Sequence, residues 1–409
     1  MIFDNLPIIR GLAPDGGLYV PCEIPQIDRA FLEELCAMRY RERAAAVLGL
    51  FLEEFSAEEL KTITEASYAD NFDCEAVAPL KLLDEKTGLL ELWHGPTSAF
   101  KDMALQIMPR LLTASLRKNG EERTVSILVA TSGDTGKAAL EGFRDVPGTR
   151  IMVFYPRDGV SQIQKLQMST QEGANVNIVA VNGNFDDCQT GVKNIFGDEA
   201  FAAKLDERGF FLSSANSINW GRLVPQVAYY FSAYCDMVKA GAIAMGDSLD
   251  FCVPTGNFGN ILAGWYAKRM GLPVGKFICA SNDNNVLTDF INTGVYDKNR
   301  PFYLTGSPSM DILVSSNLER LLYCVTKDAA FVSDRMRKLS AEGRYAVSAD
   351  VMEAIRADFT GGWCSDAESR AEIARLWQAG YLMDTHTAVA SRVLRAEREK
   401  TGGASPCVI

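Results

Sequence analysis

"TVSILVATSGDTGKAALEGFRD" (Thr124–Asp145) decides the fold class. Its first seven residues form a short apolar run bounded by a turn signal, which reads as a strand. Gly136–Asp145 carries helical spacing, and a Gly-containing loop joins the two. The same unit recurs outward from there. "RIMVFY" (Arg150–Tyr155) precedes helical "SQIQKLQMSTQEG", and "NVNIVAV" (Asn175–Val181) precedes one long helical stretch from Phe185 to Leu205. Farther on come "LDFCVP" (Leu249–Pro254), the helix "FGNILAGWYAKRMG" and the strand "KFICAS" (Lys276–Ser281). Strands that alternate with helices predict an α/β fold with largely parallel sheets covered on both faces. The chain up to Ala78, after the turn-rich "GLAPDGGLYVP" (Gly11–Pro21), reads as mostly helical, and so does the chain beyond Asp328. The expected organisation is an N-terminal helical domain (1–78), a large α/β domain (79–122 with 206–409) and a smaller inserted α/β domain (123–205).

Composition narrows the function. The 409 residues are 47% hydrophobic, enough for a large core, and carry a formal net charge of −11. An acidic chain has no electrostatic footprint for nucleic acid and is repelled by anionic membranes. The expected partners are small molecules, with the chain a monomer or homodimer. Ten cysteines without a CxxC pair read as reduced thiols. "MIFDNLPIIRG" has no basic segment leading into an apolar core, and the apolar stretch Tyr229–Met245 is interrupted by Asp236 and Lys239. A soluble, cytoplasmic protein is expected.

In parallel α/β sheets, ligands bind where strands lead into helices. After Ala130 comes "TSGDTGKAA" (Thr131–Ala139), which departs from a Walker A loop: Gly133 stands too close to Gly136-Lys137, and Ala138 replaces the Mg²⁺-binding hydroxyl. What is left is a hydroxyl-rich helix start, suited to a carboxylate or one phosphate, or else an ordinary capped turn. After Pro254 comes "TGNFGN" (Thr255–Asn260), whose Gly256 and Gly259 let the backbone approach a ligand. It reads as a single-phosphate cradle or an unliganded Gly-rich turn, and it is not GxGxxG. "ANSINWGRLVPQ" (Ala215–Gln226) gathers Asn216, Ser217, Asn219 and Arg222 before a helix. It reads as an anion grip, or as an N-cap at Asn216 or Ser217 with a solvated arginine.

"HGPTSAFKDMA" (His94–Ala104) raises a different question. In "KDMALQIMPRLLTASL", Met103, Ala104, Ile107, Met108, Leu111 and Leu112 share a helical face, and Ser98 as N-cap would put Lys101 in the first turn. A cation there opposes the helix dipole. Dehydration and nearby positive charge would lower its pKa, which suits a covalent amine nucleophile; the plainer reading is a lysine that snorkels out of a core helix.

Together, "HGPTSAFKD", "TSGDTG", "SANSINWGR", "PTGNFGN", "SPSMDILVSSNLERLL" and "DTHTAVA" resemble threonine synthase of the longer bacterial and fungal type, over almost the whole chain. "HTAVA" stands where that family more often has "HTAVG". The resemblance implies a pyridoxal 5'-phosphate enzyme of fold type II (tryptophan synthase β-like) that turns O-phospho-L-homoserine and water into L-threonine and phosphate by γ-elimination and β-addition. Lys101 matches the lysine that carries the cofactor and shuttles protons. Gly256, Asn257, Phe258, Gly259 and Asn260 match the cofactor-phosphate loop, and Thr387 matches the hydroxyl facing the ring nitrogen. Ser132, Asp134 and Thr135 match the loop at the substrate's amino-acid end. Asn216, Ser217 and Arg222 match the positions that hold the substrate phosphate. A neutral threonine at the ring nitrogen is expected to leave the ring a weaker electron sink.

A same-fold alternative is a threonine-synthase-like phospholyase that releases 2-oxobutyrate. Serine/threonine dehydratases and cysteine synthases need no second phosphate site. A non-enzymatic nucleotide-binding module is opposed by the failed Walker spacing and the missing GxGxxG. No metal is expected, because His94 and His386 are the only histidines and no HExxH spacing occurs.

Overall fold

The computed structural model describes residues 5–131, 133–403 and 405–409, with the backbone alone at 185 and 186. The chain divides into two compact units. The first takes the chain up to Pro25, Ala37–Pro79 and Glu91–Ser232; the second takes Gln26–Cys36, Leu80–Leu90 and Ala233–Ile409.

A four-stranded, all-parallel sheet lies in the first unit, in the order Val176–Val181, Thr149–Pro156, Thr124–Ala130, Phe210–Ser213. The alternation in "TVSILVA" puts Val125, Ile127 and Val129 fully inside. Asp134–Phe143 follows as a helix, as the opening stretch predicts. Two expected helices are each broken in two. Phe185–Leu205 divides into Phe185–Phe196 and Glu199–Asp206, because Asp198 caps a new start by accepting the Phe201 N–H at 2.9 Å. The helix after Lys101 divides into Asp102–Leu105 and Met108–Lys118, the second with Pro109 in its first turn, where the missing N–H costs nothing.

The two helices that carry Lys101 and Asp134 meet backbone to backbone. A Cβ on Gly142 would lie 2.0 Å from the Leu105 carbonyl oxygen. Gly142→Ala must push the helices apart, and we expect a loss of about 1–3 kcal/mol in denaturant unfolding. Gly191→Ala is the control: its Cβ would meet nothing within 4 Å on a helix, so it should be neutral or slightly stabilising. Equal stability of the two variants would refute the close approach.

The second unit holds a six-stranded sheet in the order Leu80–Asp84, Thr87–Leu90, Cys407–Val408, Leu249–Pro254, Val274–Ser281, Phe359–Trp363. Only the edge hairpin is antiparallel. The strands at Phe359 and Cys407 fall in a region whose sequence reads as helical. "FTGGW" hides its strand because its glycines serve packing: a Cβ on Gly361 would meet Thr288 at 3.0 Å, and one on Gly362 would meet Val393 at 2.6 Å. Helices Val286–Thr293 and Thr385–Thr401 thus press on this strand. Among the described residues, the first segment, up to Ala78, forms helices and no strand, at Leu6–Arg10, Arg29–Ala37, Tyr40–Gly49 and Ala57–Tyr68. Among the described residues, no helix is long and apolar enough to cross a membrane.

Candidate active site

Lys101 lies in the first unit at 9% exposure, at the N-cap of Asp102–Leu105. Ser98, expected as the cap, is instead a turn residue with φ of +54° whose N–H reaches the Gly95 carbonyl at 3.0 Å. The turn delivers Lys101 into the interior, and the Tyr68 hydroxyl braces the following helix by donating to the Met103 carbonyl at 2.6 Å. Burial lowers the Lys101 pKa and Arg222 adds to that effect, while Asp134 opposes it. The ammonium sits 3.4 Å from Asp134 Oδ2. Burial thus draws the amine in the expected direction, and Asp134 is its ion-pair partner among the described residues.

Asp134 is the first helical residue after the loop. Its other oxygen accepts from Gln164 Nε2 at 2.5 Å. The Thr131 hydroxyl accepts the N–H groups of Gly133 and Gly136, both at 3.0 Å, and so occupies donors that a ligand could have used. Asp134 pairs with Lys101; Thr135, half-buried one residue on, brings a neutral hydroxyl to the same loop. Ser132 lies outside the described residues. Neither Thr131 nor Gln164 stands out in the sequence, since a strand-end threonine and a surface-type glutamine carry no local signal.

Arg222 is 4% exposed, and its guanidinium donates to the Ala215 carbonyl at 2.9 Å. Burial brings its pKa down to about 10, against the opposing pull of Tyr229 and Asp102. No carboxylate pairs with it among the described residues. A buried guanidinium with donors to spare is a ready anion grip. The helix cap belongs to Asn219, not to Asn216 or Ser217: Asn219 Oδ1 accepts the Gly221 N–H at 2.7 Å. Asn216 is thereby released from capping, and its buried Oδ1 meets no partner among the described residues.

Asp102 is fully buried behind Lys101 and accepts the Thr97 N–H and hydroxyl, both at 2.8 Å. Burial, opposed by those two bonds, pushes its carboxyl from 3.8 up to about 6. Between those values the folded chain holds more protons than the unfolded one, so this residue's contribution to stability falls as pH rises through the window. Asp102→Asn should lack that fall. Urea unfolding of both proteins from pH 4 to 7 tests it, and parallel profiles would refute it.

The second unit holds the other donor set. Ser315 Oγ donates to the Gly256 carbonyl at 2.7 Å, and Asn317 donates to the Asn257 carbonyl from its N–H at 3.1 Å and from Nδ2 at 3.0 Å. Buried Arg320 holds Asn317 Oδ1. With those carbonyls tied back, the N–H groups of Asn257 and Phe258 point the other way. Phe258 has φ of +62°, and the helix Gly259–Met270 begins directly after it. Among the described residues, the N–H groups of Gly256, Asn257, Phe258 and Gly259 meet no acceptor. This is an anion nest on a helix start, and a phosphate monoester fits it. Asn260, the second residue of the helix, continues the same turn. Phe258 contributes backbone only, because its ring is buried 5.5 Å from that of Phe359. Gly256 is glycine for the protein's sake: a Cβ would lie 2.9 Å from the Ser309 carbonyl oxygen.

Thr387, in the same unit, is half-buried in the first turn of Thr385–Thr401, and its hydroxyl donates to Asp384. Ser315, Asn317, Arg320 and Asp384 lie inside quoted motifs, but those motifs assign them no role, because each acts through a neighbour.

Residues 79–409 match the family described as pyridoxal-phosphate dependent enzyme, and residues 5–68 the one described as threonine synthase N terminus. A solved structure, the pyridoxal-phosphate-bound threonine synthase of Brucella melitensis, is 42% identical and superposes with a TM-score of 0.90 over 99% of this chain and 84% of that one. The Schizosaccharomyces pombe threonine synthase is 40% identical over 93% of this chain and 78% of its own. A human protein named threonine synthase-like 1 is 44% identical over 98% of this chain. The chain spans about half the length of that human relative, 55%. Fold and donor sets define the class: fold type II pyridoxal-phosphate-dependent enzymes. Within that class, the chain belongs to the threonine synthase family.

Proposed function

We propose that the protein converts O-phospho-L-homoserine and water to L-threonine and phosphate, using pyridoxal 5'-phosphate. The observation that carries this is the pair of separate candidate anion sites: the backbone nest at Gly256–Asn260 and the buried Arg222, which no carboxylate ion-pairs among the described residues. A dehydratase or a cysteine synthase would need no second phosphate site.

Lys101 would hold the cofactor by its amine and, when free, move protons at the substrate's α- and β-carbons; a pKa drawn down by burial makes it more readily available as a base than an exposed lysine. Asp134 and Gln164 keep that amine in place. Bound cofactor supplies electron withdrawal from the substrate's α-carbon. The nest takes the cofactor phosphate, and Thr387 faces the ring nitrogen. Arg222, Asn216 and Ser217 take the phosphate that leaves from the γ-carbon. Ser132 and Thr135 take the substrate carboxylate by neutral donors.

One incubation with O-phospho-L-homoserine tests the reading, with phosphate, threonine and 2-oxobutyrate measured together. Threonine should account for most of the phosphate. The likeness to a human protein named only threonine synthase-like makes the oxo acid the outcome to separate. If 2-oxobutyrate with ammonia accounts for most of the phosphate, the protein is a phospholyase.

A further inference from the structure

The Thr387 hydroxyl does not stand alone. Asp384 is the N-cap of Thr385–Thr401, and its Oδ1 accepts the N–H groups of His386 at 2.9 Å and Thr387 at 3.3 Å. The same oxygen is 3.2 Å from His386 Nδ1, and Oδ2 accepts the Thr387 hydroxyl. The far side of His386 is occupied as well: Nε2 accepts the Ser309 N–H at 3.2 Å. An accepting Nε2 leaves the ring proton on Nδ1, directed at Asp384. His386 is thus a neutral donor that holds the carboxylate in place. The Asp384 side chain is 53% exposed, so the dehydration that would raise its pKa is modest, and the bonds from His386 and Thr387 hold the group below its usual value. The carboxylate is ionised, and Thr387 is its one hydroxyl donor among the described residues.

A hydroxyl has one proton. Given to Asp384, it leaves lone pairs for anything else that Thr387 faces. An unprotonated ring nitrogen would set lone pair against lone pair, whereas a protonated one would donate to Thr387. We propose that Asp384 is a positioning residue: it accepts the hydrogen bond of the Thr387 hydroxyl, so that Thr387 offers its lone pairs as an acceptor and favours the protonated ring of the cofactor. This rests on the reading above that Thr387 faces the ring nitrogen. It reverses the expectation that a neutral threonine leaves a weak electron sink. The same strap serves the phosphate end, because Ser309, which fixes His386, is also the residue against which Gly256 packs.

The test uses the holoenzyme loaded with pyridoxal phosphate labelled with nitrogen-15 in the ring, read by nitrogen NMR. The wild type should give the protonated-ring resonance. Asp384→Ser keeps a short oxygen for the helix cap but removes the charge, and Thr387→Val removes the acceptor; in both, the resonance should move to the unprotonated position. Turnover in Asp384→Ser should fall about 10- to 100-fold with KM little changed. Where Asp384→Ser does not fold or loses the cofactor, Asp384→Asn, which keeps the shape and loses the charge, gives the same reading. An unprotonated ring in the wild type overturns the proposal, as does a protonated resonance retained in a folded Asp384 variant. A wild-type chain that takes up no pyridoxal phosphate would instead overturn the functional reading itself.

Discussion

Lys101→Ala is expected to cut turnover of O-phospho-L-homoserine by about 10³- to 10⁴-fold, the scale of a lost proton-transfer group, with the covalent attachment lost as well. The protein should stay folded. Lys101 is buried at a cost that its 3.4 Å contact with Asp134 only partly offsets, and Asp134 keeps Gln164 as a partner after the change. Thermal melting of the variant should therefore match the wild type. In the wild type, borohydride should fix the cofactor to the peptide containing Lys101 and bleach the yellow colour. A label on any other lysine, or a folded Lys101→Ala protein with ordinary turnover, would remove Lys101 from its role.

The second large effect is at Arg222. A charge-assisted contact with phosphate is worth roughly 1.5–3 kcal/mol, which at about 1.4 kcal/mol per decade gives a loss of roughly 10- to 100-fold in kcat/KM for Arg222→Met. The cofactor should remain bound and coloured, since its phosphate is assigned to the nest at Gly256–Asn260. Without ligand, the variant should be as stable as the wild type or more so, because a guanidinium at 4% exposure with no carboxylate is replaced by an apolar chain of similar length. A colourless Arg222→Met protein would show that the two phosphates are assigned to the wrong sites.

Particular residues show which features were readable in advance. Lys101 could be found because a cation at a helix start, behind "HGPTSAF", breaks a local rule. Gly256 was found for a reason that the packing changes: its missing side chain makes room for Ser309. Asp134 stood out only as part of its loop, and its 3.4 Å contact with Lys101 is a pairing that spacing along the chain does not show. Asp384 and His386 sat inside a quoted motif; the Asp384–Thr387 bond is local, spanning 3 positions, but the bond from Ser309 to His386 joins positions 77 apart, which linear spacing does not reveal.

By itself the sequence determined the periodicity of strand and helix, hence the parallel α/β class, and the residue types offered at the strand-to-helix loops. Those are local properties, set by side-chain spacing and by where Gly and Pro interrupt it. Tertiary structure decided protonation, burial and pairing. The strands at Phe359 and Cys407 exist because neighbouring strands supply their hydrogen bonds, and Arg222 is a candidate anion grip because surrounding chain removes water without bringing a carboxylate into ion-pair contact among the described residues. Hydrogen-bond partners and local dielectric depend on what lies nearby in space, and linear spacing does not encode that.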